Sequence, residues 1–289
     1  MSRIGIALLW LLWRLLPAAA LARLGEWLGV LLHALVKSRR KVVLTNLRLS
    51  FPELGETERA RLAKAHFRAV GRASVLETIS WWGSRAEVER TVRFAGLENF
   101  EAHAGKPLIL LTPHFVGLNL GGVRVTLLPP TFASMYSPIK NPHLDRLMLL
   151  ARTRFGKSEL ISRHDGIKPV IRAIRKGLPF YYLPDMDFGP KDAVFVPFFG
   201  VPTATISGLP RLAKATGAAV VPCITRWQDG RYVTRFYPAW ENYPTDDVVD
   251  DTRRMNAFIE DRVREMPEQY FWLHRRFKTR PEGEPDLYD

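Results

Sequence analysis

Between residues 92 and 264 short apolar runs alternate with stretches of helical periodicity. Residues 92–97, 108–111, 132–136, 159–162, 180–183, 218–224 and 232–236 read as strands. The uninterrupted apolar run at 108–111 is what a strand covered on both faces requires. Residues 144–155, 167–176, 208–215 and 250–264 read as helices, and Gly177 and Gly217 stand where two of them stop. Upstream, residues 56–82 place Leu62, Phe67, Val70, Leu76 and Ile79 mostly at three- and four-residue spacings, as one or two amphipathic helices do. The expectation is an α/β fold: a mixed central sheet flanked by helices. No internal repeat and no low-complexity segment interrupts it.

The amino terminus is of another kind. Residues 4–13 are apolar, Arg14 interrupts, residues 15–22 resume, and a second run covers 27–36. Neither run reaches the ~20 residues of an uninterrupted spanning helix, and a central arginine costs about 3 kcal/mol on insertion scales unless it snorkels. Pro17-Ala18-Ala19-Ala20 resembles a signal cleavage region, but the chain stays apolar beyond it. We expect residues 1–36 to be an uncleaved hydrophobic anchor, either a tilted span or an interfacial helix pair, with residues 37–289 as the main folded domain. A buried amphipathic hairpin of a soluble protein is the plainer alternative. Trp10, Trp13 and Trp27 and the cluster Lys37-Ser38-Arg39-Arg40-Lys41 favour a membrane surface with anionic lipids. The formal net charge is +13, and residues 1–50 alone hold eight Lys and Arg against a single acid, Glu26. Charge of that sign also suits nucleic acid, but no nucleic-acid motif accompanies it. The one cysteine, Cys223, lies in an apolar run and reads as a small core residue, so neither a disulfide nor a multi-cysteine zinc site is expected.

Candidate chemistry starts at His114. The strand 108–111 runs into Thr112-Pro113-His114, and ligands in α/β sheets gather beyond the carboxyl ends of strands. An imidazole there is able to take a proton from a hydroxyl near neutral pH. Asn119, five residues on, is placed to reach the ring. Asp185 and Asp187 stand in a Pro/Gly-framed loop after another buried strand, where capping and turn duty compete with a role in the site. Arg152, Arg154 and Arg163 suit phosphate oxygens, with a solvated surface as the plain alternative. Residues 274–280 are strongly basic, suited to anionic lipid or to a charged tail. Residues 151–158 match a relaxed phosphate-loop pattern, but Arg and Phe fill the loop and a helix precedes it, so we reject it. No G-x-S-x-G or His-Glu-x-x-His element occurs.

Several blocks together resemble the late acyltransferases of lipid A biosynthesis, within the wider lysophospholipid and glycerol-3-phosphate acyltransferase group. They are Arg39-Arg40-Lys41 with Asn46-Leu47, Phe51-Pro52-Glu53, His114-Phe115, Tyr136 to Pro142, Pro184 to Pro190, Val194 to Pro197 and, most specific, Pro267 to Pro281. The resemblance implies a glycerol-3-phosphate-acyltransferase-like domain on the cytoplasmic face of a bacterial inner membrane. It implies an acyl-carrier-protein thioester as donor, a lipid A precursor as acceptor, and no metal or redox cofactor. It maps a catalytic His-x-x-x-x-acid motif onto His114 and Asn119, and adds Arg152 and Asp185. Tyr136, Arg163, Asp187, Arg275 and Arg276 are expected to bind substrate. Asn119 departs from the motif, because an amide orients a ring but supplies no negative charge. A slower natural enzyme, rescue by Asp185 or Asp187, and engineered inactivation all remain open at this point. So do a lysophospholipid or another glycolipid as acceptor, and a lipid-binding homologue that has lost catalysis.

Overall fold

The computed structural model describes residues 3–129, 131–156 and 158–288. Its first helices are α1 (Arg3–Leu15), α2 (Ala18–Leu35), α3 (Lys37–Ser50) and α4 (Glu56–Trp82). The sequence reading placed the first interruption at Arg14. The chain instead breaks at Leu16-Pro17, because proline has no N–H to continue the ladder, and Arg14 stays inside α1. Helix α2 lies against α4 with no side chains between them at two points. A Cβ on Gly29 would strike the Phe67 carbonyl, and one on Gly71 would strike the Gly25 carbonyl. Leu21 and Ala22 are buried by the same contact, while Trp27, Leu28, Leu31, Leu32 and Leu35 face outward.

The α/β part continues through α5 (Arg85–Thr91), β1 (Val92–Ala95), α6 (Leu97–Glu101), β2 (Leu108–Leu111), α7 (Leu118–Val125) and β3 (Ala133–Tyr136). It goes on with α8 (Pro142–Thr153), β4 (Glu159–Ser162), α9 (Lys168–Arg175) and β5 (Phe180–Tyr182). A hairpin of β6 (Ala193–Phe198) and β7 (Val201–Ile206) follows, then α10 (Gly208–Thr216), β8 (Ala219–Gln228), β9 (Arg231–Phe236) and α11 (Val248–Glu265). Seven strands form one sheet in the order β1-β9-β8-β2-β5-β3-β4. Only β8–β9 is antiparallel in it. The mixed, helix-flanked sheet read from the sequence is therefore present, and β2 at its centre is buried at all four positions. The β6–β7 hairpin forms a separate antiparallel pair that the sequence reading missed.

The basic carboxyl-terminal block is no loose tail. Val116 donates to Gln269 O at 2.8 Å and Phe271 N to His114 O at 2.9 Å, so this segment pairs beside His114. Asn46 in α3 then donates to the carbonyls of Trp272 and His274, both at 2.8 Å, and Tyr288 is buried against Asn46 and the Phe277 amide. Asn46 and Trp272–His274, far apart in sequence, are thus one structural unit.

Candidate active site

Strands β2 and β5 are neighbours, and Thr112 locks their ends together. Its backbone N–H and its hydroxyl both donate to the Tyr182 carbonyl, at 2.8 and 2.9 Å. Two residues beyond each anchor stand His114 and Pro184, so the turn after β2 meets the loop after β5. Asp185 takes both donors that His114 offers there: the backbone N–H at 2.8 Å to Oδ2 and the ring Nδ1 at 2.7 Å to Oδ1. An ionised carboxylate only accepts, so Nδ1 carries a proton and the Nε2 lone pair is left free. The Asp185 side chain is fully buried, while that of His114 is 17% exposed. Burial pushes the Asp185 carboxyl up, but the charge and hydrogen bonds of His114, with Arg276 behind, outweigh it and hold the group below its ordinary value.

His114 faces a cavity of about 1020 Å³ at the carboxyl ends of β2, β5, β3 and β4. Leu118, Val123, Phe132, Met135, Met148, Leu149 and Ile171 make much of the wall apolar. Asn119, Tyr136, Arg152 and Arg163 also line it, together with Lys191 and Arg211. A space of this size with few convergent polar groups suits a long apolar ligand carrying a charged head.

The sequence model of the family described as bacterial lipid A biosynthesis acyltransferase matches residues 2–279. The chain belongs to this family. It is 38% identical to the lipid A biosynthesis lauroyltransferase of Escherichia coli (strain K12), over 99% of this chain and 94% of that one. It is 33% identical to the palmitoleoyltransferase of the same strain, over 98% and 93%. A lipid A biosynthesis acyltransferase of Haemophilus influenzae is 38% identical over 92% and 83%. Among solved structures, the chain is similar to the 1-acyl-sn-glycerophosphate acyltransferase of Thermotoga maritima, at TM-score 0.39 and 14% identity over 86% of this chain and 97% of that one. The family resemblance read from the sequence blocks is thereby confirmed.

Within this acyltransferase the predicted site residues divide into two groups. His114, Asn119, Tyr136, Arg152 and Arg163 share the cavity. Asp185 stands behind His114. The expectation that Asn119 orients the ring is corrected: both Asp185 oxygens hold His114, and Asn119 makes no hydrogen bond to it among the described residues. Asp187, Arg275 and Arg276 do not line the cavity. Asp187 accepts from Gly189 N at 2.9 Å and from the Thr279 N–H and hydroxyl at 2.6 and 2.8 Å, which staples its loop to the carboxyl-terminal segment. Its own N–H donates to His274 Nε2 at 3.0 Å. Burial, with Arg276 adding to it, lowers His274 to about 4, so the ring is neutral and accepts. Arg276 is buried, donating to Ala204 O at 3.0 Å and to the Thr205 hydroxyl at 2.9 Å in β7. Arg275 is exposed and lies 5.4 Å over the Tyr288 ring. Arg154 is no phosphate ligand either, since its guanidinium caps the end of α4 through the Trp81 and Gly83 carbonyls. Lys157 of the rejected phosphate-loop pattern, and Met1 and Ser2 of the anchor, lie outside the described residues.

Three contributors had no signal in sequence. Lys191 and Arg211 join Arg163 at the exposed rim of the cavity. Glu77 of α4 faces Arg152 electrostatically. Enclosure pushes its carboxyl up to about 7 against a hydrogen bond from Ser80 and the charge of Arg152. Burial in turn lowers Arg152, opposed by Glu77, Tyr181 and Asp145.

Proposed function

We propose that the protein transfers a fatty acyl chain from an acyl-carrier-protein thioester to a hydroxyl of a lipid A precursor. The observation that carries this reading is the His114–Asp185 pair on the wall of the large, part-apolar and part-cationic cavity. The Nε2 lone pair takes the proton of the acceptor hydroxyl as its oxygen attacks the thioester carbonyl. A C–O bond forms and the carbonyl becomes an oxyanion. Collapse restores the carbonyl and breaks the C–S bond, and the leaving thiolate takes the proton back from His114. Asp185 fixes the tautomer that makes Nε2 the base and stabilises the imidazolium, as the acid of a serine-protease triad does. Arg152 in the cavity lining is the candidate to steady the oxyanion or bind an acceptor phosphate, with Tyr136 and Arg163 along the same cavity. No metal or redox cofactor enters this scheme.

The proposed setting is the cytoplasmic face of the bacterial inner membrane. Helix α2 has the length and a mean hydropathy of 1.3 that a membrane crossing needs, and 22% of it is buried. The outward apolar faces of α1 and α2 and the basic start of α3 suit anionic lipid, and the remaining positive charge suits an acidic carrier protein.

Asn119 motivates the rival reading of a lipid-binding protein without catalysis. The presence of Asp185 at the ring favours the active one. The test is acyl transfer from carrier protein to a lipid A precursor, read by mass spectrometry, with His114→Ala as control. Transfer abolished by the substitution is expected. Binding of carrier protein without product in the unaltered protein sinks the enzymatic reading, and a lysophospholipid product instead reassigns the acceptor.

A further inference from the structure

Beneath the α1–α2 joint at Leu16-Pro17 lies a second cavity of about 340 Å³, apart from the one His114 faces. Trp13 and Leu21 wall it from the first two helices, and Leu76 and Ile79 from α4. The remaining wall holds two cations, Arg90 at the end of α5 and Arg231 at the start of β9. Neither guanidinium has an ion pair or a side-chain hydrogen bond among the described residues. Glu87, which also lines the cavity, spends Oε2 on the Ser84 N–H at 2.7 Å in capping α5. The Trp13 indole N–H is buried and has no acceptor among the described residues.

A buried donor without a partner is destabilising unless something brings an acceptor. Two unpaired guanidiniums call for an anion with several oxygens, and phosphate fits their fork geometry. The apolar wall calls for hydrocarbon. Ligands that carry both are anionic amphiphiles. The place agrees, since Trp10, Leu11 and Leu15 of α1 and Trp27 of α2 expose apolar surface on the same two helices.

We propose that this cavity is a specific binding site for an anionic glycerophospholipid. Its phosphate lies between Arg90 and Arg231, and an ester or phosphate oxygen accepts from Trp13. The proposal rests on the membrane-facing reading of α1 and α2. It places a bound lipid at the hinge between these helices, where it fastens them to α4 and α5 without touching the reacting groups.

The test uses the full chain in detergent, with phosphatidylglycerol or phosphatidylcholine added and bound lipid counted by native mass spectrometry. One phosphatidylglycerol per chain is expected, in preference to phosphatidylcholine. R90A/R231A is expected to bind it roughly 100-fold more weakly, about tenfold per lost charge-assisted contact. K64A/K176A removes the same charge from exposed positions elsewhere and is expected to bind as the unaltered protein does. Brominated phosphatidylglycerol is expected to quench tryptophan fluorescence less in W13F. Equal retention of the two lipids, equal retention by R90A/R231A, or binding of inorganic phosphate alone with no preference for lipid overturns the proposal. Acyl transfer is not the readout, so failure here leaves the transfer reaction standing, and loss of transfer in His114→Ala leaves this site standing.

Discussion

Two walls of the candidate site are built on opposite terms, one standing behind His114 and the other lining the large cavity. Behind His114 three side chains are spoken for: Asp185 by the histidine, Asp187 by Thr279 and Gly189, and His274 by the Asp187 amide. In the cavity lining, the side chains of Arg152 and Asn119 have no hydrogen bond to protein among the described residues. A saturated wall holds a base in one tautomer and one place, at no reorganisation cost during the reaction. An unsaturated wall leaves donors for a ligand to use. In the proposed reaction, the difference separates groups that prepare the chemistry from groups that receive the substrate.

Breaking the saturated wall has the largest expected effect. Asp185→Asn keeps the size but allows the wrong tautomer at His114, and the corresponding change in a serine-protease triad costs about 10⁴ in turnover. We expect a loss of about 10³–10⁴ in kcat with KM little changed, measured by acyl transfer. A loss below tenfold puts the orienting group elsewhere. On the opposite wall, Arg152→Ala is expected to cost about 10²-fold, the scale of one lost transition-state donor. If that loss falls in KM alone, the arginine binds the ground state, and the division between the walls becomes one of binding against chemistry.

The saturated wall is also expected to fail first in acid. His274 has its pKa lowered to about 4 from an ordinary 6.5. Between those values the unfolded chain binds more protons than the folded one, so stability rises with pH across that window and falls as pH is lowered through it. Asp185, held below its ordinary 3.8, contributes its full stability above that value and loses it only in stronger acid. Lowering pH from 7 to 5 is expected to remove about 1 kcal/mol through His274, discounted for its partial exposure. His274→Gln keeps an acceptor for the Asp187 amide and is expected to flatten that part of the melting-temperature profile. An unchanged slope moves the acid-sensitive group to another buried histidine such as His66, lowered to about 4 by burial despite its bond to the Glu268 carbonyl.

Much of this molecule was legible as sequence, and the limit has a physical form. Strands β2, β4 and β9 and helices α8 and α9 announce themselves through local periodicity and through stops such as Gly177, which adopts φ 80°. His114 was legible as a residue just beyond a buried strand. Its partner was legible only as one of two acids, Asp185 or Asp187, because Asp185 is 71 residues away and reaches the ring only through the β2–β5 pairing. The motif spacing pointed to position 119, a neighbour along the chain. Asp187 and Arg276 look like ligand-binding charges in isolation, and only the folded chain shows the backbone and hydroxyl groups that occupy them. The β6–β7 hairpin escaped notice because Pro197 and Pro202 stand inside it, facing one another in register, where prolines argue against a strand.

Asn119 carries the smallest expected effect and the sharpest test of the two-wall division. If position 119 belonged to the orienting apparatus, Asn119→Asp would supply the missing charge and raise turnover. With Asp185 already holding the Nδ1 proton, a second carboxylate finds no further proton to hold on the neutral ring. It instead places a negative charge in the cavity where the proposed reaction makes a thioester oxygen negative. We expect Asn119→Asp to lower kcat by about threefold to tenfold, within the ~1 kcal/mol of one unfavourable contact near a partly solvated site. Asn119→Ala is expected to fall on the same side by less, since it removes a donor without adding charge. A rise in kcat in Asn119→Asp would show that the wall opposite Asp185 also works on the histidine, and the separation of the walls would be lost.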